Sequence, residues 1–141
     1  MEFTKVFQEI VNKQRRRAGS RTYIRNGELY LSRIFGYQLV DGKYIPDPKY
    51  EPSIRLIFEM LAQGASLPSV KEKLDDMKAR DSSHNPYGAS RILAIAERMT
   101  YAGFVKQGFR LIRIKNMTPI VSLETWKLAQ IQVKAERKRM A

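Results

Sequence analysis

The chain predicts an α+β, mainly helical fold with a pair of helix-turn-helix-like helices, a small β-hairpin and a C-terminal helix. Three observations predict it. Apolar residues recur at helical spacing through residues 54–61, 67–77 and 87–99. The period then changes to that of strands between Tyr101 and Lys115, and a capped helical pattern resumes at Ser122. With 141 residues, 43% of them apolar, and only 8 Gly and 6 Pro, the chain can bury a core and is no disordered basic tail.

In chain order, Phe3, Val6, Phe7, Ile10 and Val11 fall on one face of a helix that runs into Arg15-Arg16-Arg17 and ends near Ala18-Gly19. Residues 13–33 hold Lys13, Arg15, Arg16, Arg17, Arg21, Arg25 and Arg33 against Glu28 alone, with a turn signal at Asn26-Gly27, and read as a basic arm. Asp47-Pro48 offers a helix start before the stripe Ile54, Ile57, Phe58 and Leu61, although Pro52 competes for that role; Gly64 closes the helix. Ser66 caps a helix whose expected buried face is Leu67, Val70, Leu74 and Met77. After a polar turn over 81–86, a helix from about Tyr87 places Ala89, Ile92, Leu93, Ala96 and Met99 inward. Tyr87, Arg91, Ala94 and Arg98 fall on its other side. The strands 101–106 and 109–115 flank Gln107-Gly108, with Leu111, Arg113 and Lys115 opposite Ile112 and Ile114. Thr118-Pro119-Ile120-Val121 is extended, and the last helix turns Trp126, Ala129 and Val133 inward before leaving through Lys134, Arg137, Lys138 and Arg139.

The net charge of +12 is segregated. Residues 41–81 hold 7 Lys+Arg against 8 Asp+Glu, and the rest of the chain holds 19 against 6. A neutral middle between basic flanks creates a field that attracts a polyanion, most directly nucleic acid. The helices 67–77 and 87–98 have the outline of a helix-turn-helix, in which the second helix enters the major groove. Ser90, Arg91 and Arg98 would then face base edges or phosphates, with Asn85 and Tyr87 near the helix start available to the backbone. The arm carrying Arg15, Arg16, Arg17, Arg21, Arg25 and Arg33 suits a narrow minor groove. The hairpin charges Lys106, Arg110, Arg113 and Lys115 also suit a soluble strand face that discourages edge pairing.

Catalytic signals are poor. There is no cysteine, and the one histidine, His84, lies in a turn beside Ser82 and Ser83. Asp75 and Asp76 are adjacent on a helix and point apart, and no phosphate loop or nucleophile elbow occurs. Neither a metal nor any other cofactor is expected. No apolar run reaches membrane-spanning length, so no membrane partner is expected and the compartment reads as cytoplasmic.

Several strings in order resemble the recombinase domain of the large serine recombinases, the integrases and transposases of phages and mobile elements. They are Phe35-Gly36-Tyr37, Tyr44-Ile45-Pro46-Asp47, Ile54-Arg55-Leu56-Ile57-Phe58-Glu59, Gly64-Ala65-Ser66-Leu67, Arg91-Ile92-Leu93, Met99-Thr100-Tyr101-Ala102-Gly103-Phe104-Val105 and Thr118-Pro119-Ile120-Val121-Ser122. Together they span residues 33–131. The resemblance implies an N-terminal helix and basic linker arm over 1–33 and a DNA-binding recombinase domain over 34–141. That domain would bind duplex DNA at half of an attachment site, with the linker in the minor groove and the helix from Tyr87 to Arg98 in the major groove. It also implies a separate catalytic domain on the same full-length chain, a homodimer or tetramer of that chain, and a bacterial or phage-encoded protein at the nucleoid. The family's nucleophile lies in a Tyr-x-Arg-x-Ser string, whereas Tyr23-Ile24-Arg25-Asn26-Gly27 has no serine at the required place, so this segment is expected to bind and not to cleave. Ile34 also stands where the family pattern has a proline before Phe-Gly-Tyr. Two rival readings stay open. One is a basic RNA-binding module stacking bases on Tyr101–Val105 and Phe109; the other is a protein-interaction adaptor using the apolar face of helix 3–17.

Overall fold

The computed structural model describes residues 23–30 and 33–141. The helix expected over 3–17 and most of the arm, including Arg15, Arg16, Arg17 and Arg21, lie outside the described residues. Within them, two antiparallel hairpins precede three helices, and a third hairpin precedes the fourth helix. The first hairpin is β1 (Tyr23–Arg25) and β2 (Glu28–Tyr30), followed by β3 (Tyr37–Val40) and β4 (Lys43–Pro46). Then come α1 (Glu51–Ala62), α2 (Leu67–Asp76), α3 (Ala89–Glu97), a 3₁₀ turn (Met99–Ala102), the hairpin β5 (Phe104–Gln107) and β6 (Arg110–Arg113), and α4 (Leu123–Met140). The mixed, helix-rich class read from the sequence is the class observed.

Local chemistry explains the elements. Asn26-Gly27 and Asp41-Gly42 both take positive φ at two successive turn residues, the backbone that closes a two-residue hairpin with the twist of its strands. Ser66 and Ser122 cap α2 and α4, each accepting a hydrogen bond from the backbone N–H three residues on. The helix start expected at Asp47-Pro48 is corrected. Asp47 accepts the N–H of Lys49 through its carboxylate and those of Tyr50 and Glu51 through its carbonyl, forming a turn ahead of α1, and Pro52 stands in the first turn of that helix. Met77 is also corrected: it is the residue that ends α2, and it is exposed.

The apolar stripe of α1 is the centre of the core. Ile54, Ile57, Phe58 and Leu61 are fully buried, and α4 lies against α1 through Ala129 and Val133. Trp126 is half-buried against the same cluster. Glu136 of α4, 3% exposed, accepts hydrogen bonds from Leu67 N–H at 3.2 Å and from Gln132 at 2.8 Å. A buried carboxylate persists there because it meets the first amide of α2 at Leu67 and the Arg139 guanidinium at 3.6 Å.

The small hairpins have too little area to stand alone, and Asn116 joins them to the body. Its side-chain oxygen accepts Leu29 N–H at 2.8 Å, and its amide donates to Leu29 O at 2.6 Å and to Gly42 O at 2.8 Å. Its own carbonyl accepts Tyr44 N–H at 2.7 Å. With Ile24 and Leu29 in the core, residues 23–30 are a docked hairpin, not a free continuation of the arm. Replacing Asn116 with alanine leaves both polar groups of Leu29 without their partner and should cost about 2–3 kcal/mol. Urea unfolding of Asn116→Ala beside the unchanged protein measures this.

Candidate nucleic-acid interface

The exposed side of α3 meets the end of the arm at one aromatic ring. Residues 34–37 form a turn closed by Tyr37 N–H on Ile34 O at 3.0 Å, with Gly36 at φ 92°. That φ needs glycine in the third position, and a Cβ there would stand 2.1 Å from Ile54 Cδ1. The turn projects Phe35 against Tyr50, with ring centroids 4.9 Å apart, and edge-on against Tyr87 at 6.2 Å. Tyr101 Oη donates to the Phe35 carbonyl at 2.7 Å. Upon this fixed ring the Arg91 guanidinium lies 4.8 Å from the centroid. Stacking holds the charge in place and leaves the guanidinium edge free to donate.

Two open clefts share Phe35. One, of about 520 Å³, is lined by Arg33, Tyr37, Asp47 and Tyr50; the other, of about 120 Å³, by Arg91, Ala94, Arg98 and Tyr101. Arg33, Ser90, Arg91, Ala94 and Arg98 are exposed. Arg33 and the outer face of α3 thus lie on two clefts that meet at Phe35. Arg25 is exposed elsewhere, on β1 beside the first hairpin turn, where the Lys115 side chain passes over Gly27.

Tyr87 is the correction within this set. The expectation places it on the exposed side of the helix, but it is fully buried and precedes a helix that starts at Ala89. Its ring fills the space beneath Phe35, and its hydroxyl points to Arg80 O at 3.4 Å. Tyr87 thus supports the face from below. Phe35 is the residue the sequence reading missed, although the Phe-Gly pair of its turn lies within a quoted family string.

α3 is held from behind by α4. Gln130 donates to Ala96 O at 2.8 Å, and Arg137 pairs with Glu97 at 2.5 Å. At the other end Lys71 donates to Tyr87 O at 3.1 Å. The loop before α3 is built on Asp81, whose carboxylate accepts Ser83 and Asn85 N–H at 2.8 and 3.0 Å; these backbone bonds, the one to Asn85 first, hold its pKa low. His84 is an exposed residue of that loop. No helix among the described residues is long and apolar enough to cross a membrane.

The described residues thus form an α+β domain with a cationic helix face beside two open clefts. The family model named Recombinase matches residues 48–136, and the chain belongs to that family. Among curated proteins none matches. Two solved structures share the fold. A chain from the crystal structure of an LSR–DNA complex matches with a TM-score of 0.61 and 18% identity over 93% of this chain and 40% of that one. A chain from work on the sequence requirements of the Listeria innocua prophage attP site matches with a TM-score of 0.59 and 19% identity over 90% and 51%. The present chain therefore spans about half or less of either relative.

Burial pushes the Tyr101 hydroxyl up to about 12 and raises those of Tyr37 and Tyr87 as well. A folded-state pKa above the unfolded value near 10 contributes stability that is present below pH 10 and lost as pH climbs through the folded value. Urea midpoints should accordingly fall between pH 10 and 12, and less steeply in Tyr101→Phe.

Proposed function

We propose that the chain binds duplex DNA at one half of a recombination site, as the non-catalytic DNA-binding domain of a serine site-specific recombinase. The observation that carries this reading is Arg91 stacked on Phe35, the ring shared by the cleft of Arg33 and the cleft of Arg91 and Arg98. In this reading α3 lies in the major groove, where Ser90, Arg91 and Arg98 meet base edges and nearby phosphates. The arm, with Arg15, Arg16, Arg17, Arg21 and Arg33, follows the minor groove and supplies phosphate contacts, and Arg25 adds one from the docked hairpin β1–β2. Tyr87 contributes by carrying Phe35 from beneath. The DNA in the LSR–DNA complex belongs to that relative, and shared fold and family support extending its kind of partner to this chain.

Strand exchange would belong to a catalytic domain on the same full-length chain, acting in a dimer or tetramer of a bacterial or phage-encoded recombinase. Position 27, where the family's string would place its serine, is here a glycine inside a hairpin turn. The aromatic platform of the rival RNA reading receives no support from Tyr101, which is buried with its hydroxyl committed to Phe35.

If about six phosphates are neutralised, a plot of log affinity against log salt should have a slope of roughly −5. Fluorescence-anisotropy titrations across salt measure it, and an affinity indifferent to salt would contradict the mechanism. Arg91→Ala should cost about 1–3 kcal/mol on the cognate half-site and little on random duplex. An equal loss on both would reassign Arg91 to the DNA backbone.

A further inference from the structure

The β5–β6 hairpin is a second cationic element that α3 and the arm do not absorb. Residues 98–123 contain Arg98, Lys106, Arg110, Arg113 and Lys115 and no acidic residue. Lys106, Arg110, Arg113 and Lys115 are exposed, and none of them forms an ion pair among the described residues. At the tip, Gly108 has φ 61° and open space where a Cβ would stand, and Phe109 beside it is 105% exposed. Single apolar side chains on a surface are ordinary. A completely bare phenylalanine at the end of an acid-free basic ribbon is a different arrangement, because the charges exclude most apolar partners and select an anionic one.

We propose that this hairpin is a further DNA-contacting prong, in which Phe109 inserts against a base step of the duplex while Lys106, Arg110 and Arg113 engage the flanking phosphates. The inference rests on the half-site reading above and adds a contact outside α3 and the arm. Register supports the division of labour. Gln107 pairs with Arg110 across the turn, and Lys106 with Leu111, so cations stand on both strands immediately behind the ring. Behind them the Arg113 guanidinium lies 5.9 Å from the Phe104 ring centroid, which steadies the ribbon. An apolar wedge unstacks a step at a cost that neighbouring phosphate contacts offset, and the duplex bends as a result.

The test is a tip reporter. Phe109→Trp places an indole at an exposed site where no core contact changes, and its emission is followed on adding mixed-sequence duplex DNA, with the unchanged protein and its single Trp126 as the blank. Stacking should quench the new indole. Phe109→Ala should weaken duplex binding about tenfold without altering the salt slope, since the ring neutralises no phosphate. Arg110→Ala should reduce the slope by about one. Unquenched indole together with unchanged affinity of Phe109→Ala, in a protein that still binds duplex with a steep salt slope, overturns the prong and leaves the half-site reading standing. Failure of the unchanged protein to bind duplex at any salt overturns both. Stronger quenching by single-stranded than by duplex DNA overturns the assignment of the duplex as occupant.

Discussion

The arrangement depends on the ring of Phe35 and the turn that presents it. Gly36 is required there by its φ and by Ile54 at its back, so the turn cannot relax without moving the centre of the core. Tyr101 fixes the Phe35 carbonyl, Tyr50 and Tyr87 fix the ring, and Arg91 lies on what remains. Without that ring, Arg33 and a short helix would present their charges at unrelated positions. Through this ring Arg33 and α3 have one relative placement, so a ligand that met both would not bear the entropy of choosing it.

Charge segregation gains its meaning from this geometry. The neutral middle of the sequence becomes strand β4 and helices α1 and α2, whose acids are partly engaged within those elements, as in Arg55–Glu51 and Lys71–Asp75. Asp81 lies in the loop that leads to α3, and its carboxylate is already committed to the amides of its own loop. It therefore orders the approach to α3 and competes only weakly for Arg91. On the far side, Arg137 is spent on Glu97, which separates a structural arginine from those left open on α3.

What was legible in the sequence followed from local rules. The stripes Ile54–Leu61 and Leu67–Leu74, the caps Ser66 and Ser122, and the alternation that places Ile114 inward and Leu111, Arg113 and Lys115 outward all depend on neighbours within a few residues. The strands β1 to β4 were not read because three or four residues carry too little alternation. Their stability comes from Asn116, more than seventy residues away from Leu29 and Gly42. Tyr87 was misplaced because a helical wheel extended two residues too far. Gly88 is extended at φ −82° and ψ 167°, so the wheel has no meaning before Ala89. Phe35 escaped notice as a site residue for the same reason as Asn116: its role is set by partners distant in sequence.

The central claim is that one continuous surface, from Arg33 across Phe35 to Arg98, receives a double helix. Amide chemical-shift mapping during titration with duplex DNA tests it most directly. The account predicts that the largest perturbations cluster at Arg33, Ser90, Arg91, Ala94 and Arg98, with Phe35 among them. Perturbations confined to the basic end of α4, around Lys134 and Lys138, with α3 unmoved, would contradict it.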